Sequence, residues 1–285
     1  MSALLFLLLA PLFTGTLKWL KARLQNRVGP DPFYDYRNLV KLFQKAYILP
    51  QMASPVFLLG PVLALASTLL AAIFFPLGPS LSFAGDFLLL LYFLNLGRFF
   101  QLAAALDAGS AFGGQGAYRE SLVGVLVEPG TVMALAAVAW KGGFSLAQLE
   151  PWTVASGLVY LLALAALALA LVAEGARMPV DDPTTHLELT MIHEAQLLDH
   201  GGPLLALYEL AAGVKLLLYL GLMALLLPLP LGLALALAFV LGVVALAYLE
   251  TYGVRLRYLR LPDLMSYGTL AGLLALLGKV VHLWI

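Results

Sequence analysis

Residues 173–202 read AEGARMPVDDPTTHLELTMIHEAQLLDHGG, a polar stretch set between two long apolar runs. Glu174, Asp181, Asp182, Glu188, Glu194 and Asp199, with Glu209 just beyond, make up seven of the sixteen acidic residues. His186, His193 and His200 are three of the four histidines. The chain around this stretch is 62% hydrophobic and 11% charged, whereas soluble domains carry about 25% charged residues. With a mean hydropathy of +0.95, it reads as an all-α integral membrane protein. The acidic stretch is then a loop between two spans, placed to face a partner and to pass charge into the membrane.

Working outward, a membrane span needs about 20 apolar residues. Eight runs qualify, at roughly 3–19, 54–75, 84–106, 121–140, 152–173, 203–227, 230–250 and 264–284. They are continuous rather than alternating, which excludes a transmembrane barrel. The whole of 1–285 reads as one polytopic membrane domain. Its first run could pass for a signal peptide. It lacks a basic n-region and no small-residue cleavage site follows, so it is expected to be the first span.

Basic residues set the orientation. Lys18, Lys21, Arg23, Arg27, Arg37, Lys41 and Lys45 flank or occupy the loop 20–52; Arg255, Arg257, Arg260, Arg119 and Arg177 belong to loops on the same side. Lys141 and Lys279 are left for the other side. The bias places the acidic loop 174–202 in the cytoplasm and both termini outside a prokaryotic cytoplasmic membrane. Within 20–52, the segment FYDYRNLVKLFQK (33–45) interleaves apolar and basic residues. It is expected to be a cytoplasmic amphipathic helix, serving as a surface anchor or a docking element.

Zero net charge gives no sign of nucleic-acid binding. The absence of cysteine excludes disulfides and excludes this chain as the thiolate ligand set of an iron–sulfur or nickel–iron centre. No cofactor and no metal site is expected here. His186 and His193 are seven apart, which is not the HExxH spacing, and suit proton handling better than metal binding.

Charges inside spans cost on the order of 3 kcal/mol each unless paired or hydrated. Arg98, Glu128, Glu209 and Lys215 are such charges. Glu128 precedes Pro129, whose ring is expected to kink the helix and bring the carboxylate to a cavity; an ion pair with Arg98 or Lys215 is the alternative. Glu209 and Lys215 are six apart, so each should meet another helix. Glu174 and Arg177 can pair across the last helical turn or line the mouth of a cavity. Asp182 ahead of Pro183, with Thr185 and Glu188 as a capping box, predicts a helix over 183–198. The run 107–120, DAGSAFGGQGAYRE, predicts a flexible glycine-rich loop packed on another chain.

The segment from Glu174 through Arg177, Pro179 and Val-Asp-Asp-Pro-Thr-Thr-His to Glu194 closely resembles the membrane-anchor subunit of formate hydrogenlyase and related membrane-bound nickel–iron hydrogenases, a family homologous to the H subunit of respiratory complex I. The resemblance extends in the same order to Asn26-Arg27-x-Gly29-Pro30, Leu106-Asp107-x-Gly109-Ser110, Arg119-Glu120 and Val127-Glu128-Pro129. It implies an anchor for a peripheral arm made of a hydrogenase large subunit and an iron–sulfur small subunit, which would carry the nickel–iron centre and clusters. Antiporter-like membrane subunits would lie alongside. It also implies a polar path through Glu128, Glu174, Arg177, Asp181, Asp182, Glu188 and Glu194; Glu209 and Lys215 are added to that path as charges inside the sixth span. Arg27, Asp107, Arg119, Glu120, His186 and His193 would belong to partner-docking loops. The run Asp182-Pro-Thr-Thr-His departs from complex I proper and argues against a quinone substrate. A quinone-site subunit, a passive structural anchor and a free-standing solute transporter are the competing readings.

Overall fold

The computed structural model describes residues 2–77, 82–149, 152–153, 156–181 and 191–284, with side chains through 281. Among these residues there is no strand. Eight helices are long and apolar enough to cross a membrane, as the sequence predicts. They are α1 (Ser2–Leu24), α3 (Pro55–Ile73), α4 (Asp86–Asp107), α5 (Ala111–Ala139), α6 (Gly157–Glu174), α8 (Pro203–Leu225), α9 (Leu231–Tyr252) and α10 (Leu261–Trp284). Two shorter helices, α2 (Tyr34–Phe43) and α7 (His193–Leu197), lie between spans. Eight alternating spans bring the connections holding α2, the α4–α5 turn, α7 and residues 253–260 to one end.

Helix starts follow local chemistry. The Ser54 hydroxyl accepts from Val56 N at 3.2 Å ahead of Pro55 in the first turn of α3. Pro203 opens α8 after Gly202, whose φ is +56°. Proline suits this place because its missing amide hydrogen would have no helical partner there.

The hub of the bundle is α8. It packs against α1, α2, α3, α6 and α9, and 72% of its apolar window is buried, the largest share of any span. α5, α6 and α10 form a second group, and α3 pairs with α4. The α5–α10 crossing is close because both helices present glycine: a side chain on Gly272 would begin 2.4 Å from the Gly130 carbonyl oxygen. Lipid offers no hydrophobic drive between helices, so backbone approach through small residues supplies the packing.

Two expectations are corrected here. The glycine-rich run 107–120 is not a loop. Ser110 accepts from Gly113 N at 2.9 Å and starts α5 at Ala111. That helix continues past Pro129 for 29 residues, about 43 Å at about 1.5 Å per residue. This exceeds a hydrocarbon core of about 30 Å, so its glycine-rich turns stand at the end of the bundle. Gly116 is needed there, since a methyl group on it would come within 2.9 Å of Ala195 Cβ and Gln196 N of α7. The second correction concerns 183–198. Met191 and Ile192 are not helical and α7 begins only at His193, so no single helix spans that range; 182–190 lie outside the described residues.

Gly272→Val should force α5 and α10 apart and cost about 1–3 kcal/mol, read as a lower unfolding midpoint in detergent. Gly232→Ala, where an added methyl meets nothing within 4 Å, should leave that midpoint unchanged or slightly raised.

Candidate functional site

At the end that carries the short helices, a cavity of about 610 Å³ opens between α1, α8 and the segment 175–181. Lys18, Arg27, Arg177, Asp181, Glu194 and Glu209 are among its lining residues. Its charged wall is built from ion pairs that join elements far apart in sequence. Glu250, at the end of α9, accepts from Lys21 of α1 at 3.1 Å and from Arg177 at 2.9 Å. Asp181 accepts from Arg255 at 2.7 Å and from the His193 and Ile192 amides at 2.9 and 3.3 Å. It thereby caps the short α7 from a distance, satisfying amides that a one-turn helix leaves open. The Leu256 amide donates to Pro179 O at 3.0 Å, so residues 253–257 strap the 177–181 segment in place.

The floor is a second, deeper set of charges. Glu174, at the end of α6, accepts from Lys215 of α8 at 3.3 Å and is also ion-paired with Arg98 of α4. Glu120 of α5, likewise buried, lies within the electrostatic reach of both cations. Two acidic and two cationic side chains from four spans thus meet in one buried quartet. At an effective dielectric of about 20, unit charges about 4 Å apart interact by about 4 kcal/mol. Changing the charge on one member therefore changes the proton affinity of the others.

His193 sits between wall and floor. Its backbone is held by Asp181, its Nδ1 lies 3.4 Å from the Gln101 amide nitrogen, and Lys215, Arg177 and Glu174 all act on it. Burial, reinforced by the Lys215 charge, pushes its imidazole down to about 4. His200, after α7, is pushed down to about 4 by burial, against the opposing pull of the Gln196 backbone and of Asp199. Beyond the quartet, Tyr219 is buried on α8 one turn after Lys215, within electrostatic reach of Glu174, Arg98 and Glu128.

Several sequence expectations change. Glu174 and Arg177 do not pair with each other; the αL residue Ala176 (φ +50°) turns Arg177 toward Glu250. Glu128 does not line the cavity and pairs with neither Arg98 nor Lys215. It faces the outer surface, accepting from Asn95 of α4 at 2.7 Å. Asp107 is taken up at the start of α3, accepting from Ser54 N at 2.7 Å and Phe57 N at 3.1 Å. Arg119 is buried in α5, not on a loop, donating to Met191 O at 2.8 Å and resting over the Tyr258 ring. As the six-residue spacing predicts, Glu209 and Lys215 meet different helices, Glu209 accepting from Asn38 of α2 at 3.2 Å. Arg27 and Glu194 line the cavity. Asp182, His186 and Glu188 lie outside the described residues.

Sequence reasoning gave no role to Tyr219 or Glu250, used Lys21 and Arg255 only for orientation, and weighed Arg98 only as a buried charge that could pair with Glu128. Arg98 alone carried a usable signal, as a cation in an apolar run. Among the described residues no group of three histidine or carboxylate side chains is arranged to hold a metal.

A protein-family model described as NADH dehydrogenase matches residues 1–280. Hydrogenase-4 component C of Escherichia coli K12 is 36% identical over 221 residues, covering 75% of this chain and 69% of that protein. Formate hydrogenlyase subunit 4 of the same bacterium is 32% identical over 209 residues, covering 70% and 67%. Among solved structures, a chain of the membrane-bound sulfane sulfur reductase, an archaeal respiratory membrane complex, has the same fold. It matches with a TM-score of 0.79 at 22% identity, with 98% of each chain covered.

Two outcomes are expected. Glu250→Gln leaves Lys21 and Arg177 without a counter-charge at a buried position and should cost about 3–5 kcal/mol, seen as a lower detergent unfolding midpoint. His200 is held neutral well below its ordinary value, so the unfolded chain binds its proton first as pH falls. Stability is full above about 6.5 and should be lost between about 6.5 and 4, by up to about 3 kcal/mol for this residue. His200→Phe should flatten the acid side of a midpoint-against-pH curve.

Proposed function

Because the chain belongs to the NADH dehydrogenase family, we propose that it is the non-catalytic membrane anchor and coupling subunit of a respiratory-type hydrogenase complex. The observation that carries this reading is the buried quartet of Arg98, Glu120, Glu174 and Lys215, which acts on His193 of the cavity lining and, with Glu128, on Tyr219. In this reading the cavity end is cytoplasmic and faces a hydrogenase large subunit and an iron–sulfur small subunit, which supply the nickel–iron and cluster chemistry. Likeness to hydrogenase-4 component C and formate hydrogenlyase subunit 4 supports that assignment of partners. Antiporter-like membrane subunits sit beside Glu128, a carboxylate that a lipid-facing surface would otherwise leave in hydrocarbon.

Electron transfer in the docked arm alters the charge seen by Asp181, Arg177 and Glu194 at the cavity wall. His193 and Lys215 carry the change to Glu174 and Glu120. Tyr219 stands between these and Glu128, and its hydroxyl can pass a proton on. A change of two units in one carboxylate's proton affinity is about 2.7 kcal/mol, enough to reverse the order in which two neighbouring groups take up a proton.

Glu128→Gln keeps the shape and the Asn95 neighbour while removing the ionisable group. In the intact complex in sealed vesicles, it should leave the peripheral arm bound and reduce the ions moved per turnover. Tyr219→Phe should do the same without changing assembly. An unchanged ratio in both variants would leave a purely structural anchor as the reading.

A further inference from the structure

Behind the cavity wall, one group of polar side chains is neither ion-paired nor hydrogen-bonded. Tyr208 of α8 lines the cavity, is 2% exposed, and its hydroxyl has no partner. His200 is buried; the Gln196 backbone draws on its ring, but no hydrogen bond of good geometry reaches either nitrogen. Gln196, one turn earlier on α7, is fully buried with both amide atoms unpartnered. The two rings meet edge to face at 4.9 Å. Phe57 of α3 stacks on the imidazole at 4.1 Å, so its faces are covered and its nitrogen edge remains.

We infer that His200 and Tyr208, with Gln196 beside them, form an internal water-binding pocket, a hydrated branch of the cavity separate from the chain of ion pairs. Buried polar atoms without partners cost about 1–3 kcal/mol each. The Tyr208 hydroxyl and the nitrogen edge of His200, whose rings are in contact, therefore call for a ligand, and ordered water commonly fills such sites. The chemistry of the three groups selects water over an ion. Phenol, neutral imidazole and carboxamide each donate and accept, as water does, whereas an ion needs partners of one polarity. The nearest carboxylate, Asp199, is turned away: it takes the Ser110 hydroxyl and lies against Gly113 at the start of α5. Space is offered by the cavity that Tyr208 lines, whereas on the α3 side packing is close, a methyl on Gly60 coming within 3.1 Å of the hydroxyl and 2.5 Å of Ala104 Cβ. Held neutral, His200 keeps one nitrogen as donor and the other as acceptor. The inference does not rest on the coupling reading, since it concerns hydration and not ion movement.

The test uses near-isosteric replacements in the intact complex at neutral pH. If water links the groups, Tyr208→Phe, His200→Phe and Gln196→Met each strand a bound water. Each should then lower the unfolding midpoint by about 2–4 °C. Combining Tyr208→Phe with His200→Phe removes two claims on the same water and should cost less than the sum of the two. Single variants with unchanged or raised midpoints, or losses that simply add, would overturn the inference. If His200→Phe does not assemble, the Tyr208→Phe and Gln196→Met pair gives the same reading. An experimental map of the assembled complex decides independently. Ordered density bridging these side chains supports the pocket, and its absence, with the three groups bonded directly to protein, refutes it.

Discussion

A carboxylate inside a membrane protein must be matched by positive charge or water, and Glu174 is where that demand shapes the fold. Bringing Arg98 and Lys215 to it fixes the relative rotation of α4, α6 and α8, and Glu120 adds α5 to the same point. Apolar packing alone would not specify this register, because lipid-facing and helix-facing surfaces are equally hydrophobic. A single misplaced helix would leave a buried charge unpaired, at a cost of about 3–5 kcal/mol. The polar centre therefore selects one arrangement among many that leucine and alanine would tolerate.

The cavity wall applies the same logic nearer the surface. Glu250 joins α1, α9 and the 175–181 segment through two cations, and Arg255 with the Leu256 amide closes the strap. The short α7 depends on this strap, since Asp181 supplies acceptors for its first amides. Structure at the mouth of the cavity is thus held by charge and hydrogen bonding, whereas the spans below are held by close packing at sites such as the Gly130–Gly272 crossing.

Hydropathy made all eight spans legible, because about 20 apolar residues in a row have few other uses. The amphipathic α2 was legible from its alternating basic and apolar residues. Pairing was not. Glu174 and Arg177 are three residues apart and looked like partners, yet the backbone reverses at Ala176 and sends them to α4, α8 and α9 instead. Glu250 sits at the end of a featureless apolar run, and nothing local distinguishes it from an interfacial carboxylate. The glycine-rich run 107–120 misled for a definite reason. Glycine usually signals a flexible turn, but here its small size admits α7 against α5 while Ser110 supplies the cap.

Clustering these four charges has a consequence for how a transmembrane potential would act on them. With both carboxylates ionised the four side chains carry no net charge and a transmembrane potential exerts almost no net pull on them; with Glu120 protonated they carry one positive charge, which that potential does pull on. Gain or loss of a single proton there changes the net charge by one, and one charge feels about 2.3 kcal/mol per 100 mV if it crosses the whole field. Voltage would then act on the arrangement according to its protonation, barely in the neutral state and directly in the charged one.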